Sequence, residues 1–201
     1  MLDGHDLLGC AQTGTGKTAA FALPILNYIF KHSKRLAPKT VRALILVPTR
    51  ELAVQVMESV KTYGAHMRVS KALVYGGVGY GPQIRALSRG ADVLVATPGR
   101  LMDLLKEDKV NLSQLEIFTL DEADRMLDMG FIHDIRKIVA EIPEDRQTLF
   151  FSATMAPEVR NLAGTLLTDS KEITITPKRV TAEKIEQHIC FLDQDDKQEF
   201  L

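Results

Sequence analysis

The sequence predicts an α/β fold, an open and mostly parallel sheet, doubly wound, with helices on both faces. Three observations predict it. Short apolar runs alternate with longer stretches of helical spacing, the strand–helix–strand rhythm of that class. Several runs, Val41–Val47 and Asp92–Ala96 among them, are apolar almost throughout, as strands covered on both faces are. The residues just after the runs are chemically unusual, and they fall where the carboxyl ends of parallel strands share one edge and ligands bind.

Asp6–Cys10 opens the series as a short apolar run, followed by a glycine-rich turn and a helical pattern over Lys17–His32. Val41–Val47 is the second strand, and Arg50–Tyr63 a helix with Thr49 as its candidate N-cap. Val69–Tyr75 leads into a short helix at Gln83–Ser88. Asp92–Ala96 leads into Arg100–Lys106, with Thr97 as candidate cap. Glu116–Leu120 is a strand ending in acidic residues, Ile132–Glu141 a helix, and Thr148–Phe151 a strand before a helix over Ala156–Leu167. Asp169–Ile175 is a final strand. Thr176–Lys184, with Pro177, reads as a polar linker, Ile185–Leu192 as a new strand and Asp195–Leu201 as the start of a helix. The expected organisation is one domain over 1–175, a linker over 176–184 and the truncated start of a second α/β unit over 185–201.

Of 201 residues, 25 are Lys or Arg and 26 are Asp or Glu, a net charge of −1. Bulk attraction to a polyanion is excluded, so any nucleic-acid binding must come from a local arrangement of donors. Cys10 and Cys190 belong to no CxxC pattern, and the five histidines show no metal-ligand spacing, which excludes a disulfide scaffold or zinc ribbon. No apolar run approaches a membrane span and no cleavable signal opens the chain. The expectation is a soluble, cytoplasmic protein, monomeric because no apolar stripe is surplus to the core.

Ala11-Gln12-Thr13-Gly14-Thr15-Gly16-Lys17-Thr18 lies between a strand and a helix and matches GxxxxGK[ST] except for Ala11. Gly14 and Gly16 let backbone N–H groups curl around phosphate oxygens, and the helix adds its positive end. Lys17 reaches the β- and γ-phosphates and the Thr18 hydroxyl ligates Mg²⁺. A buried strand ending in Asp121-Glu122 supplies the other half of a P-loop NTPase site. There Asp121 holds Mg²⁺, partly through water, and Glu122 polarises the attacking water. Gly77-Val78-Gly79-Tyr80-Gly81-Pro82 is not GxGxxG, because Pro82 replaces the last glycine, and a Rossmann oxidoreductase is rejected. Met126, Met129 and Phe131 read as packing residues and Lys31–Arg35 as a solvated helix end.

Asp121-Glu122-Ala123-Asp124 spells DEAD. From Leu7 to about Thr168 the chain closely resembles the DEAD-box RNA helicases: AQTGTGKT at Ala11–Thr18, PTRELA at Pro48–Ala53, Gly76-Gly77, TPGR at Thr97–Arg100, and SAT at Ser152–Thr154. Ala11 is itself usual for these helicases. Asp128-Met129-Gly130-Phe131 and the tail resemble the bacterial RhlE-like branch. The resemblance implies a RecA-like domain that uses ATP and Mg²⁺ and binds RNA, in a parent enzyme that unwinds short duplexes. It implies that Asp124, Ser152 and Thr154 couple nucleotide state to RNA. It also implies backbone contacts to RNA at Pro48, Thr49, Arg50, Gly76, Gly77, Thr97, Pro98, Gly99 and Arg100. A helix N-cap is the plainer account of Ser152 and Thr154. A DNA translocase of the same superfamily is the alternative, against which the DEAD, PTRELA and TPGR wording argues. The family's adenine-reading Q motif and its arginine fingers would lie outside this sequence. This chain alone is therefore expected to be a weak Mg-nucleotide and RNA-binding module with negligible turnover and blurred base choice.

Overall fold

A computed structural model describes residues 1–12, 14–175 and 191; the expected linker and second unit lie outside the described residues, apart from Phe191. Among the described residues seven strands run in chain order: β1 (Leu7–Cys10), β2 (Val41–Leu46), β3 (Lys71–Val74), β4 (Ala91–Ala96), β5 (Ile117–Leu120), β6 (Gln147–Ser152) and β7 (Lys171–Thr174). They form one sheet in the order β3-β4-β2-β5-β6-β1-β7 with every pairing parallel. Seven helices connect them: α1 (Lys17–Lys31), α2 (Arg50–Tyr63), α3 (Tyr80–Leu87), α4 (Pro98–Lys106), α5 (Ala123–Asp128), α6 (Ile132–Ala140) and α7 (Pro157–Leu166).

Alternate side chains of the same strands enter two separate cores. Ala43, Ile45, Val93, Val95, Ile117 and Leu149 pack under α1 and α2, whereas Leu44, Leu46, Leu94, Phe118, Leu120 and Phe150 pack under α3–α7. This is why β2, β4 and β5 are buried throughout and read as unbroken apolar runs. Gly9 in β1 makes room for a neighbour: a Cβ there would stand 2.6 Å from Phe151 Cδ1. The Phe151 ring occupies that space and meets Phe21 of α1 at 5.5 Å between centroids. Asp6 anchors the start of β1, accepting from the Thr148 and Thr168 amides at 2.6 and 2.8 Å.

Four elements differ from expectation. α3 begins at Tyr80, not Gln83, because Pro82 falls in its first turn, where no N–H partner is required. α4 likewise begins at Pro98, ahead of the expected Arg100. The six-residue α5, directly after the acidic run, had no helical pattern long enough to read. β7 is shorter than expected, fully exposed, and paired only with β1.

Candidate functional site

All six junctions open on the carboxyl edge, and sheet order lays them out in line. Along the edge they run Tyr75–Gly79 after β3, Thr97–Arg100 after β4, Pro48–Arg50 after β2, Asp121–Asp124 after β5, Ser152–Thr154 after β6, and the glycine-rich loop after β1. Backbone bonds continue the sheet into them: Thr97 N to Val74 O at 2.9 Å, Val47 N to Ala96 O, Asp121 N to Leu46 O and Ala11 N to Ser152 O, each at 3.0 Å. The edge thus has a nucleotide half on β1, β6 and β5 and a second half on β2, β4 and β3.

In the first half Gly14 and Gly16 take φ of 81° and 90°, values a side chain would strain, and a Cβ on either would meet nothing within 4 Å. Gly16 is the N-cap of α1 with no side-chain cap, and Thr15 Oγ1 donates to Gln12 O at 2.7 Å to close the loop. Thr13, expected to contribute here, lies outside the described residues. Ala11 is buried beneath the loop and Thr18 is half-buried. Lys17, the first helical residue, is 9% exposed; among the described residues its Nζ has no hydrogen-bond partner, and it stands 4.0 Å from Asp121 Oδ1. An orphaned buried ammonium is costly, and such groups are retained where a ligand completes them.

Asp121 is 2% exposed. Burial pushes its carboxyl up to about 6, against the pull of Lys17, and the nearby Glu122 charge adds to the rise. Glu122 is a non-glycine residue at φ 54°, ψ 50°, a left-handed conformation that costs on the order of 1 kcal/mol. Its backbone N–H donates to Asp121 Oδ1 at 3.0 Å, which holds the Asp121 carboxylate against the Glu122 main chain. Asp124 Oδ2 accepts from the Thr154 amide and hydroxyl at 2.9 and 3.0 Å, and its own amide donates to Ser152 Oγ at 3.3 Å. Burial raises the Asp124 carboxyl, but the Thr154 and Ser152 hydrogen bonds more than offset it and hold it below the usual range. The N-cap of α7 is Ala156, so Ser152 and Thr154 bind the acidic loop and do not cap that helix.

The second half is a shallow groove of about 400 Å³ lined by Pro48, Thr49, Arg50, Gly76, Thr97, Gly99 and Arg100, with Glu51, Met129 and Phe131. Thr49 caps α2, accepting from Leu52 N at 3.2 Å, whereas Thr97 makes no side-chain cap. Arg50 is exposed beside the Tyr75 ring, 5.1 Å from its centroid. Arg100 is already engaged: it stacks over Tyr80 at 4.0 Å and donates to Val78 O at 2.9 Å. Of the expected contact residues Pro48, Thr97, Pro98 and Arg100 are buried and Arg50, Gly76 and Gly77 are exposed; Glu51 is exposed beside them. Met129 is 48% exposed on the groove wall, where a packing residue was expected. Its neighbour Gly130, at φ 80°, was the sequence sign of a turn there.

Comparisons with known proteins accord with this layout. Residues 1–162 match the family model described as DEAD/DEAH box helicase. The chain is 46% identical to the ATP-dependent RNA helicase dbp2 of Neurospora crassa over 98% of its own length and 35% of the relative's. It is 47% identical to the ATP-dependent RNA helicase DeaD of Mycobacterium tuberculosis, covering 93% of this chain and 32% of that one. The crystal structure of a DEAD box protein from Methanococcus jannaschii superposes with a TM-score of 0.78 at 40% identity, covering 86% of this chain and 46% of that one. The chain thus spans about a third of the length of the curated relatives it matches.

Proposed function

This chain belongs to the DEAD/DEAH box helicase family, and on that premise we propose that it forms the Mg-ATP- and RNA-binding domain, over residues 1–175, of an ATP-dependent RNA helicase. The observation that carries the proposal is the buried Lys17 ammonium, without a hydrogen-bond partner among the described residues, beside a loop with two left-handed glycines and facing Asp121. The parent acts on short RNA duplexes in the cytoplasm, and the domain is monomeric. The RhlE-like wording at Asp128–Phe131 is our reading of the branch.

Each residue has a stated part. Backbone N–H groups over Gln12–Thr18 and the start of α1 receive phosphate oxygens, and Lys17 adds a charge-assisted bond to the β- and γ-phosphates. Among the described residues no cluster of three His, Cys, Asp or Glu side chains could hold a metal alone. The Thr18 hydroxyl and the Asp121 carboxylate fit a Mg²⁺ that arrives on the phosphates, since both are hard oxygen donors. When bound, that ion neutralises charge on the phosphates; it also favours ionised Asp121. Glu122 orients the attacking water and accepts its proton. Asp124, tied to Ser152 and Thr154, links the acidic loop to β6. Pro48–Arg50, Gly76-Gly77 and Thr97–Arg100 track an RNA backbone, so binding is salt-dependent and tolerant of sequence.

Calorimetric titration of Mg-ATP into the wild type and Lys17→Ala tests the nucleotide half. Affinity is expected to fall by about a hundredfold or more, given the strength of charge-assisted phosphate contacts. Equal affinities overturn the phosphate cradle.

A further inference from the structure

Gln83 was no part of the expected site, and it is 6% exposed on α3. Its side-chain amide makes three hydrogen bonds to a single loop. Oε1 accepts from Tyr75 N at 3.1 Å, and Nε2 donates to Tyr75 O at 3.2 Å and to Gly79 O at 3.3 Å. Those two residues bracket Gly76-Gly77-Val78. On the other side Arg100 holds Val78 O at 2.9 Å. The loop is therefore fixed at both ends and at one carbonyl.

The groups left over are donors. Among the described residues no hydrogen bond engages the N–H of Gly76, Gly77 or Val78. Gly76 and Gly77 are exposed, Gly76 lines the groove, and Gly77 has φ of 80°. The Arg50 guanidinium lies alongside, with Nη1 3.6 Å from where a Cβ on Gly77 would be. Successive amides at a left-handed turn next to a cation are the donor set a phosphate takes. A glycine pair with free ends would lose far more conformational entropy on binding than one already clamped.

We propose that Gln83 is a positioning residue for RNA: it holds the Tyr75–Gly79 loop so that the Gly76 and Gly77 amides present themselves to one backbone phosphate. The loop asks for one acceptor and two donors, which a carboxamide supplies. A carboxylate of the same length lacks the donors, and asparagine is one methylene short. The inference rests on the reading of this groove as an RNA face.

The test is a titration of fluorescein-labelled single-stranded oligoribonucleotide over a salt series, with Mg-ATP affinity measured beside it, for the full chain and Gln83→Glu. At neutral pH the variant sets a carboxylate against two carbonyls. RNA affinity is expected to fall about tenfold, while Mg-ATP affinity stays within about twofold of wild type. As pH is lowered the glutamate protonates, one donor returns, and the deficit relative to wild type shrinks. Wild-type protein that binds no RNA overturns the reading of the groove and the proposal with it. Wild-type binding with an unimpaired Gln83→Glu, or RNA and nucleotide affinities that fall together, overturns the proposal alone. If Gln83→Glu does not fold, residue-resolved amide exchange on the wild type decides. Tyr75 N–H is expected to be protected without RNA, and the Gly76 and Gly77 amides only with it. Rapid exchange at Tyr75, or glycine amides indifferent to RNA, overturns the proposal.

Discussion

Strand β5 carries a carboxylate at each end, and the two ends behave oppositely. Glu116, just before the strand, accepts from Arg42 Nε and Nη2 at 2.8 and 3.1 Å and pairs with Lys34 at 2.6 Å. Arg42, 1% exposed, also donates to His32 O at 2.8 Å and Asp92 Oδ1 at 3.5 Å. Burial alone would raise the Glu116 carboxyl, yet hydrogen bonds from Arg42, Lys34 and Tyr28 bring it down to about 2. Asp121, just after the strand, has Lys17 at 4.0 Å and one backbone hydrogen bond from Glu122 N at 3.0 Å, and sits at about 6. One cluster is internally complete and serves the fold. In the other, the Lys17 ammonium is matched to an acceptor and the Asp121 carboxyl to a cation, which are the phosphate oxygen and the metal of the proposed function.

The largest expected effect breaks the complete end. Arg42→Ala leaves Glu116 and Asp92 without their shared partner and should destabilise the domain by about 3–5 kcal/mol, as removal of one member of a buried pair does. Lys17→Met, by contrast, removes an ammonium with no hydrogen-bond partner among the described residues and should leave the nucleotide-free domain at least as stable as wild type. Urea unfolding without nucleotide checks both. Similar losses in the two variants would erase the distinction between the ends.

pH separates the ends more sharply, because the two shifts have opposite sign. The folded-state value of Glu116 lies below its ordinary 4.5. Its contribution is therefore present above that pH and lost as pH falls from there toward 2, on the order of 3 kcal/mol at 1.36 kcal/mol per unit. Asp121 lies above its ordinary 3.8, so its ionisation penalises the fold; the penalty accrues as pH rises from 3.8 and is complete above about 6. Asp121→Asn should match wild type near pH 4 and be more stable near pH 7 by about 1–3 kcal/mol in metal-free, nucleotide-free buffer. A stability difference that does not change between those pH values would mean Asp121 is already compensated.

How far this contrast shows in the sequence depends on which residues carry each end. Lys17 and Asp121 lie in contiguous motifs whose glycines, threonine and acidic run announce phosphate chemistry, and the apolar runs of β2, β4 and β5 place those motifs on one edge. Arg42 is a single charge inside an apolar run, and its partners arrive from positions 92 and 116, which are brought close only by folding. Gln83 is illegible for the same reason: a glutamine in a short amphipathic helix gives no sign that it turns back onto residues 75 and 79. Arg100 is an expected RNA contact through its place in TPGR, and nothing in that motif shows that its guanidinium is taken up by Tyr80 and Val78.

The two cap threonines repeat the contrast at the smallest scale. Thr49 and Thr97 both precede helices at the carboxyl edge, and local sequence alone gives them the same role. Thr49 Oγ1 accepts from Leu52 N, so Thr49→Ala should cost about 1 kcal/mol of stability. Thr97 is 9% exposed and its side chain makes no cap bond; Pro98 at the first helical position has no N–H to offer. Thr97→Val should therefore leave stability within about 0.5 kcal/mol, because the hydroxyl it removes has no bond to lose. The same substitution should weaken RNA binding, since Thr97 lines the groove and its hydroxyl has no hydrogen-bond partner among the described residues. A thermal midpoint lowered by Thr97→Val as much as by Thr49→Ala would assign both threonines to the fold and remove Thr97 from the binding face.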